Sequence, residues 1–248
     1  MFRKELYNCC QSKTEIENNK ITLNNYRGWS SVYKKLYSGY LPKDKNASIL
    51  ELGSGYGFFL YFLREEGFRN TLGIDVSRVS IDIAKKNGIE NIFCTEIYDF
   101  LIGKGKTYDL IVAIDVLEHF KKNEVFELLK NIHSALRNGG ALLLQLPNGY
   151  YPFGNIYQYG DFTHETFFTP NSLQQIFRFI GFDNMLFKPC DNYLLMPHSF
   201  YQKFLWRTIQ RIIRFYIKFE TNQKIDILSP NFIAIAQKAE KQKQFNYF

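Results

Sequence analysis

SILELGSGYGFFLYFLREEGFRNTLGIDVS, residues 48–77, decides the fold. A short apolar run, Ser48–Leu52, leads into Glu51-Leu52-Gly53-Ser54-Gly55-Tyr56-Gly57, and an amphipathic stretch, Phe58–Glu66, follows at once. Glycines in such a turn let the backbone fold tightly and approach a ligand with no Cβ in the way. A GxGxG alone also suits a tight turn that binds nothing, and several nucleotide-binding folds use it. The second run, Thr71–Asp75, ends in Gly73-Ile74-Asp75-Val76-Ser77, with Asp75 twenty residues after Gly55. A carboxylate there can accept both ribose hydroxyls of a nucleoside lying across the carboxyl edge of a parallel sheet. The plainer alternative for Asp75 is a helix cap before Val79.

Working outward, the alternation of short apolar runs with helical periodicity continues. Val79–Asn87 reads as a helix, Asn91–Thr95 as a strand, Tyr108–Ile114 as a strand and Asn123–Arg137 as a helix. Gly139-Gly140 is read as the stop for that helix, before a strand over Ala141–Leu146. Such alternation predicts a parallel sheet with helices on both faces. Upstream, residues 1–40 look helical and polar-aromatic, closed by a polar break at Pro42–Asn46. Downstream, residues after Pro147 are loop-rich as far as Thr169, which is placed to cap a helix opening at Pro170 and ending at Gly181. Strands over Phe182–Pro189 and Asn231–Gln237 complete the pattern, before a Lys/Gln-rich tail.

Four ordered segments are more specific than any one of them. ELGSGYG (51–57), GIDVS (73–77), YDLIVAIDVLEHF (108–120) and LRNGGALLLQLPN (136–148) resemble those of class I S-adenosylmethionine (SAM)-dependent methyltransferases, over about residues 45–240. The resemblance implies an α/β fold: a Rossmann-like, seven-stranded mixed sheet with helices on both faces, in which only the last strand, Asn231–Gln237, is antiparallel. It divides the chain into a helical cover (1–45), a cofactor-binding core (46–197 and 221–240) and a helical insertion (198–220). The implied cofactor is SAM, with S-adenosyl-L-homocysteine (SAH) as product. Gly53 and Gly55, with Ser54 between them, would approach its methionine part, and Glu51 and Asp115 its amino group. Asp75, followed by Val76, would hold the ribose, and Glu96 and Ile97 would flank the adenine. Arg27, in Tyr26-Arg27-Gly28-Trp29, would pair with the methionine carboxylate unless it is a plain surface arginine. A dinucleotide enzyme would carry GxGxxG, but the sixth position counted from Gly53 is Phe58.

The fourth-strand segment bears on the methyl acceptor. Methylases of exocyclic base nitrogens often carry Asn/Asp-Pro-Pro-Tyr/Phe there, whereas this chain has Asp115-Val116-Leu117-Glu118-His119, a version that resembles enzymes acting on small molecules and sugars. Transfer to oxygen gains from a base near neutral pKa, which points to histidine. His119 follows the fourth strand directly. His164 lies in Gly160-Asp161-Phe162-Thr163-His164-Glu165, on the acceptor side of this fold, where Asp161 either serves it in catalysis or merely orders the loop. A metal site built from His119, His164 and a carboxylate such as Asp161 or Glu118 has no ligand spacing to support it, so none is assigned. His133 falls inside a helix and reads as structural, and His198 is uninformative. The stretch from Leu146 to Phe182 is similar to a branch of bacterial methyltransferases associated with surface-polysaccharide biosynthesis, which implies a sugar or similar small-molecule hydroxyl as acceptor.

The four cysteines (Cys9, Cys10, Cys94 and Cys190) show neither a disulfide framework nor CxxC spacing, and no long apolar run reads as a spanning helix. A cytoplasmic, reduced setting is the expectation. The net charge of +7 favours acidic partners. Its placement is informative. In HSFYQKFLWRTIQRIIRFYIKFE (198–220), Lys203, Arg207, Arg211, Arg214 and Lys218 fall within roughly an 80° arc of a helix that is otherwise almost all apolar. That pattern suits an interfacial helix on an anionic membrane at the inner face of the cell, or a helix packed on the domain or in a homodimer with its basic stripe in water. Nucleic acid is a poor fit, because the charge avoids the glycine-rich loop. The remaining alternatives are an RNA or protein methyltransferase and a non-catalytic SAM- or SAH-binding protein.

Overall fold

The computed structural model describes residues 21–190 and 200–240. Cys9, Cys10, the first twenty residues of the helical cover, His198 and the end of the basic tail lie outside the described residues. Helix α1 (Leu23–Tyr37) precedes the sheet. Then β1 (Ile49–Leu52), α2 (Phe58–Glu65), β2 (Thr71–Asp75), α3 (Arg78–Lys86), β3 (Ile92–Cys94) and α4 (Ile97–Leu101) follow in strict alternation. After β4 (Tyr108–Ile114) come a 3₁₀ turn (Leu117–His119), α5 (Lys122–Ala135) and β5 (Leu136–Pro147). The second half holds α6 (Asn155–Gly160), α7 (Pro170–Ile180), β6 (Phe182–Cys190), α8 (Phe200–Thr221) and β7 (Asn231–Lys238).

The seven strands lie in the order β3-β2-β1-β4-β5-β7-β6. β1 to β5 pair in parallel, and β7 runs antiparallel to both β5 and β6. Strand order reverses between β1 and β4, so their carboxyl ends open the crevice where open α/β sheets bind ligands. The core lies on both faces of the central strands: every residue of β1 is buried. One layer packs Leu50, Leu52, Ile111 and Leu144 against Leu128, Leu129 and Ile132 of α5. The other packs Ile49, Leu110, Val112 and Leu143 against Phe59 and Phe62 of α2 and Tyr37 of α1. This two-sided burial is why the strands read as near-continuous apolar runs rather than alternating ones.

Two local expectations are corrected. Helix α5 stops at Ala135, not Arg137, and Gly139-Gly140 is not its stop. Leu136 already pairs with Tyr108, and the register slips before Leu110 pairs with Ala141, so the glycines sit in a strand irregularity. Gly139 has φ 77°, and a Cβ on Gly140 would lie 2.9 Å from the Arg137 carbonyl oxygen. The second concerns the alternative reading of Asp75 as a helix cap. The N-cap of α3 is Ser77, whose hydroxyl accepts from Ser80 N, which leaves Asp75 to a different task. At α7 the reading holds: Thr169 caps the helix with Pro170 in its first turn, and Gly181 ends it with φ 102°.

Helix α8 does not bury its apolar side. Phe204, Leu205, Ile212, Phe215, Tyr216 and Phe219 are exposed, while Ile213, Arg214 and Ile217 are half-buried. Arg214 donates from Nη2 to the Asp226 carbonyl at 3.0 Å, so one member of the basic stripe faces the chain itself. Packing on the domain with only the basic stripe in water is therefore not what α8 does. Among the described residues, no helix is long and apolar enough to cross a membrane.

Candidate functional site

The glycine-rich turn is fixed by the ends of β2 and β4. Gly53 N and Ser54 N both donate to the Ile74 carbonyl, at 2.9 and 3.0 Å. Gly53 has φ 70°, and a Cβ there would lie 2.5 Å from Val116 Cγ2. Only glycine fits both the left-handed backbone and that close approach. Asp75 grips the turn from β2: Oδ2 accepts from Gly55 N and Oδ1 from Ser77 N, each at 2.8 Å. Burial raises the Asp75 carboxyl above its usual range, against the hydrogen bonds from Ser77, Gly55 and Val76 that favour the anion. The two carboxylate oxygens keep acceptor capacity beyond these backbone bonds.

Two buried polar atoms beside this turn lack partners: Glu51 Oε2 at the end of β1 and Ser54 Oγ. Glu51 is fully enclosed, and burial followed by the negative charge of Asp75 pushes its carboxyl well above the usual range. Buried polar groups are ordinarily satisfied, so an orphaned pair at a strand-end turn marks a place for a ligand. A ligand carrying an ammonium group and vicinal hydroxyls fits this set of donors and acceptors, which is what SAM presents. Ile97 is buried at the start of α4 and Glu96, its N-cap residue, is exposed. Thr95 N donates to the Asp75 carbonyl, and Cys94 Sγ to the Val76 carbonyl at 3.6 Å, which ties the β3 end to β2. Arg27 stands on the exposed side of α1.

At the end of β4, Asp115 takes φ 53°, in the left-handed region that asparagine and aspartate enter more readily than other residues. Its Oδ2 accepts from Gln145 Nε2 at 2.9 Å, and Gln145 Oε1 accepts from Tyr37 OH at 2.5 Å and from Cys190 Sγ at 3.0 Å. Burial pushes Asp115 up to about 6, against the Gln145 hydrogen bond and the charge of His164. Burial also raises the phenol of Tyr33, one turn before Tyr37 on α1, helped by the charges of Glu51 and Asp115. Helix α1 thus lies over the same strand ends. Sequence reasoning missed Tyr33, Tyr37 and Gln145, because their partners lie on distant strands.

A second cluster adjoins the first. Glu165 N and Thr166 N both donate to the Glu118 carbonyl, at 2.7 and 3.0 Å, which pins the loop after α6 onto the 3₁₀ turn. The His119 and His164 rings then meet edge to face with centroids 4.9 Å apart. Thr163 Oγ1 donates to Asp161 Oδ1 at 2.6 Å and lies 2.8 Å from His119 Nδ1. With the hydroxyl proton given to Asp161, Thr163 accepts from His119 Nδ1–H, and the neutral ring carries its lone pair on Nε2. His164 Nδ1 lies 2.7 Å from the Tyr157 carbonyl, which fixes the same tautomer. Asp161 is held below the usual carboxylate range: burial alone would raise it, but the Thr163 hydrogen bonds and the charges of His164 and His119 outweigh that. Glu118 is 1% exposed, and neither carboxyl oxygen has a partner. Thr163 was also missed, although the Asp-x-Thr spacing that lets Thr163 N bond Asp161 Oδ1 at 2.8 Å is legible in hindsight. His133 faces Phe182 from α5, 4.8 Å ring to ring, in keeping with a structural role.

The chain matches the family described as "Methyltransferase domain" over residues 26–186. Among solved structures, a SAM-dependent methyltransferase from Archaeoglobus fulgidus aligns over 86% of this chain and 96% of its own, at TM-score 0.64 and 23% identity. Another from Thermotoga maritima covers 87% and 96%, at TM-score 0.59 and 16% identity. At these identities the two share the fold. Mus musculus EEF1A lysine methyltransferase 2 is 38% identical over 79 residues, 30% of this chain and 31% of that protein, so the chain spans about a third of this curated relative.

Proposed function

Because the chain belongs to the methyltransferase-domain family, we propose that it is a SAM-dependent enzyme that methylates a hydroxyl of a sugar or similar small molecule. The observation that carries the choice of oxygen is the cluster of Glu118, His119 and His164, with one polar atom of each within 4.8 Å of the others, and Asp115 near enough to act on Glu118 by its charge; imidazoles and carboxyls are groups suited to take a proton. When bound, SAM supplies a methyl group activated by its sulfonium and leaves as SAH. Asp75 offers both carboxylate oxygens to the ribose hydroxyls, and Glu51 and Asp115 offer acceptors to the amino group. Gly53, Ser54 and Gly55 let the methionine part lie against the backbone. Val76 and Ile97 supply apolar surface, Glu96 an acceptor at the adenine, and Arg27 a cation for the methionine carboxylate. An acceptor hydroxyl must lose its proton as its oxygen gains the methyl group, and the Nε2 lone pairs of His119 and His164 can accept its hydrogen bond. Asp161, through Thr163, keeps the His119 ring in the required tautomer.

In this reading the described residues of 46–197 and 221–240 form the cofactor core, those of 1–45 its cover, and α8 (Phe200–Thr221) an appended helix. The apolar surface of α8, flanked by Arg207 and Arg211, suits insertion at an anionic membrane surface, with lysine and arginine reaching the headgroups. That placement fits a lipid-linked glycan acceptor on the cytoplasmic side. A lysine side chain is the second reading, favoured by the local similarity to EEF1A lysine methyltransferase 2. The experiment is incubation with labelled SAM and either nucleotide-activated sugars, lipid-linked sugars or lysine-containing protein extracts. Label in sugar supports the proposal. Label in protein alone moves the assignment to lysine. SAM binding with transfer to none of these refutes the proposal and favours a non-catalytic SAM-binding protein.

A further inference from the structure

We propose that Glu118, His119 and His164 form a binding site for a divalent transition-metal cation of the Zn²⁺ type. One ligand atom from each of the three lies within 4.8 Å of the others. Ligands on a tetrahedral ion with bonds near 2.1 Å stand about 3.4 Å apart. Side-chain adjustment of roughly an ångström closes the set. Two independent features point to a cation. Glu118 is almost wholly buried, with both carboxyl oxygens unpartnered, a state that a cation relieves and that no described side chain does.

The surroundings of the two imidazoles match what metal ligands require. A ligating histidine donates its other ring N–H to a carbonyl or carboxylate, which fixes the tautomer and strengthens the ligating nitrogen. His164 has the Tyr157 carbonyl at 2.7 Å from Nδ1. His119 has Thr163 at 2.8 Å, and Thr163 passes the interaction to Asp161 at 2.6 Å. Two nitrogen donors and one carboxylate favour Zn²⁺, Co²⁺, Mn²⁺ or Fe²⁺ over Mg²⁺ and Ca²⁺, which prefer all-oxygen sets. Three protein ligands leave a coordination position open, the arrangement of catalytic rather than structural metal sites.

The role of the ion rests on the methyl-transfer reading; its binding does not. With the ion in place the two rings serve as ligands instead of hydrogen-bond acceptors for the substrate. An acceptor hydroxyl at the open position is oriented and acidified by the cation. Its O–H bond breaks with the proton going to water, its oxygen forms the new bond to the methyl carbon, and the S–C electron pair stays on the departing thioether.

The test uses the full chain freed of metal with a chelator and titrated with Co²⁺ and Zn²⁺ in the absence of SAM. The expected result is one equivalent of Co²⁺ per chain with visible d–d absorption, displaced by Zn²⁺. His164→Gln and Glu118→Gln should each weaken binding at least 100-fold, and Thr163→Val, which leaves all three ligands in place, about 10–100-fold. SAH binding by each variant reports that the fold survives. Substoichiometric Co²⁺ binding by the wild-type chain, or wild-type affinity in SAH-competent His164→Gln, overturns the site. Stoichiometric binding without transfer to any hydroxyl leaves the site standing and refutes the acceptor assignment instead.

Discussion

Asp75→Asn separates binding from stability. In the folded chain Asp75 is 4% exposed, and each of its oxygens accepts one backbone N–H. Hydrogen bonds to a charged group contribute about 1.5–3 kcal/mol each. Losing one of the two to Asn would destabilise the turn by that order. Against this, burial raises the Asp75 carboxyl above its usual range despite the backbone hydrogen bonds from Ser77, Gly55 and Val76 that favour the anion. A neutral amide relieves that burial penalty. The two effects oppose, so unfolding free energy should change by no more than about 1–2 kcal/mol. Ligand binding has no such compensation. The variant keeps one acceptor for the ribose hydroxyls and replaces a carboxylate with an uncharged group, a loss of about 2–3 kcal/mol, or roughly 30–150-fold in Kd for SAH. Isothermal titration calorimetry with SAH, alongside urea denaturation of the same preparations, measures both. An affinity within threefold of wild type in a chain of unchanged stability would refute the ribose assignment. A large loss of stability would refute the claim that burial dominates at this carboxylate.

Gly53→Ala places a Cβ 2.5 Å from Val116 Cγ2 on a backbone at φ 70°, and should lower stability by about 2–4 kcal/mol in urea melts. A loss under 1 kcal/mol would show that the turn yields easily. Tyr37→Phe removes the donor to Gln145 Oε1 and should lower stability by about 1 kcal/mol, with weaker SAH binding because Gln145 also positions Asp115; unchanged SAH affinity would uncouple α1 from the site. His133 is shifted below its usual 6.5, first by burial and then by Lys238. The unfolded chain therefore takes up a proton near pH 6.5 that the folded chain refuses, and stability falls as pH drops below that value. His133→Phe should reduce the difference in urea midpoint between pH 7.5 and 5.5; an identical difference would assign it to other groups. Paired Ile212→Glu and Phe215→Glu substitutions on α8 should abolish sedimentation with anionic liposomes and leave SAH affinity unchanged, whereas intact protein that ignores such liposomes at low salt would remove the membrane role.

Local chemistry made the fold legible. The glycine turn, Asp75 after β2 and the apolar runs of β1, β4 and β5 announce themselves because backbone conformation and two-sided burial act on neighbouring residues. The paired glycines 139 and 140 misled for the complementary reason: next to a helix they look like a stop, and only the partner strand β4 makes them part of an irregular β5. The orphaned Glu51 and Ser54 could be named from the sequence as part of a site, but not as buried and unpartnered. Burial depends on what α1 and the neighbouring strands bring over them.

What the sequence alone determined is therefore the sheet, its glycine-rich turn and its acidic strand end, features whose parts lie within a few residues of one another. What only the tertiary structure decided is the cluster around His119 and His164. His119 meets Thr163 across 44 residues and Tyr37 meets Gln145 across 108, and Glu118 is enclosed by a loop that the sequence left without form. Hydrogen bonds of that span depend on how strands are ordered in the sheet, and no local pattern encodes that order directly.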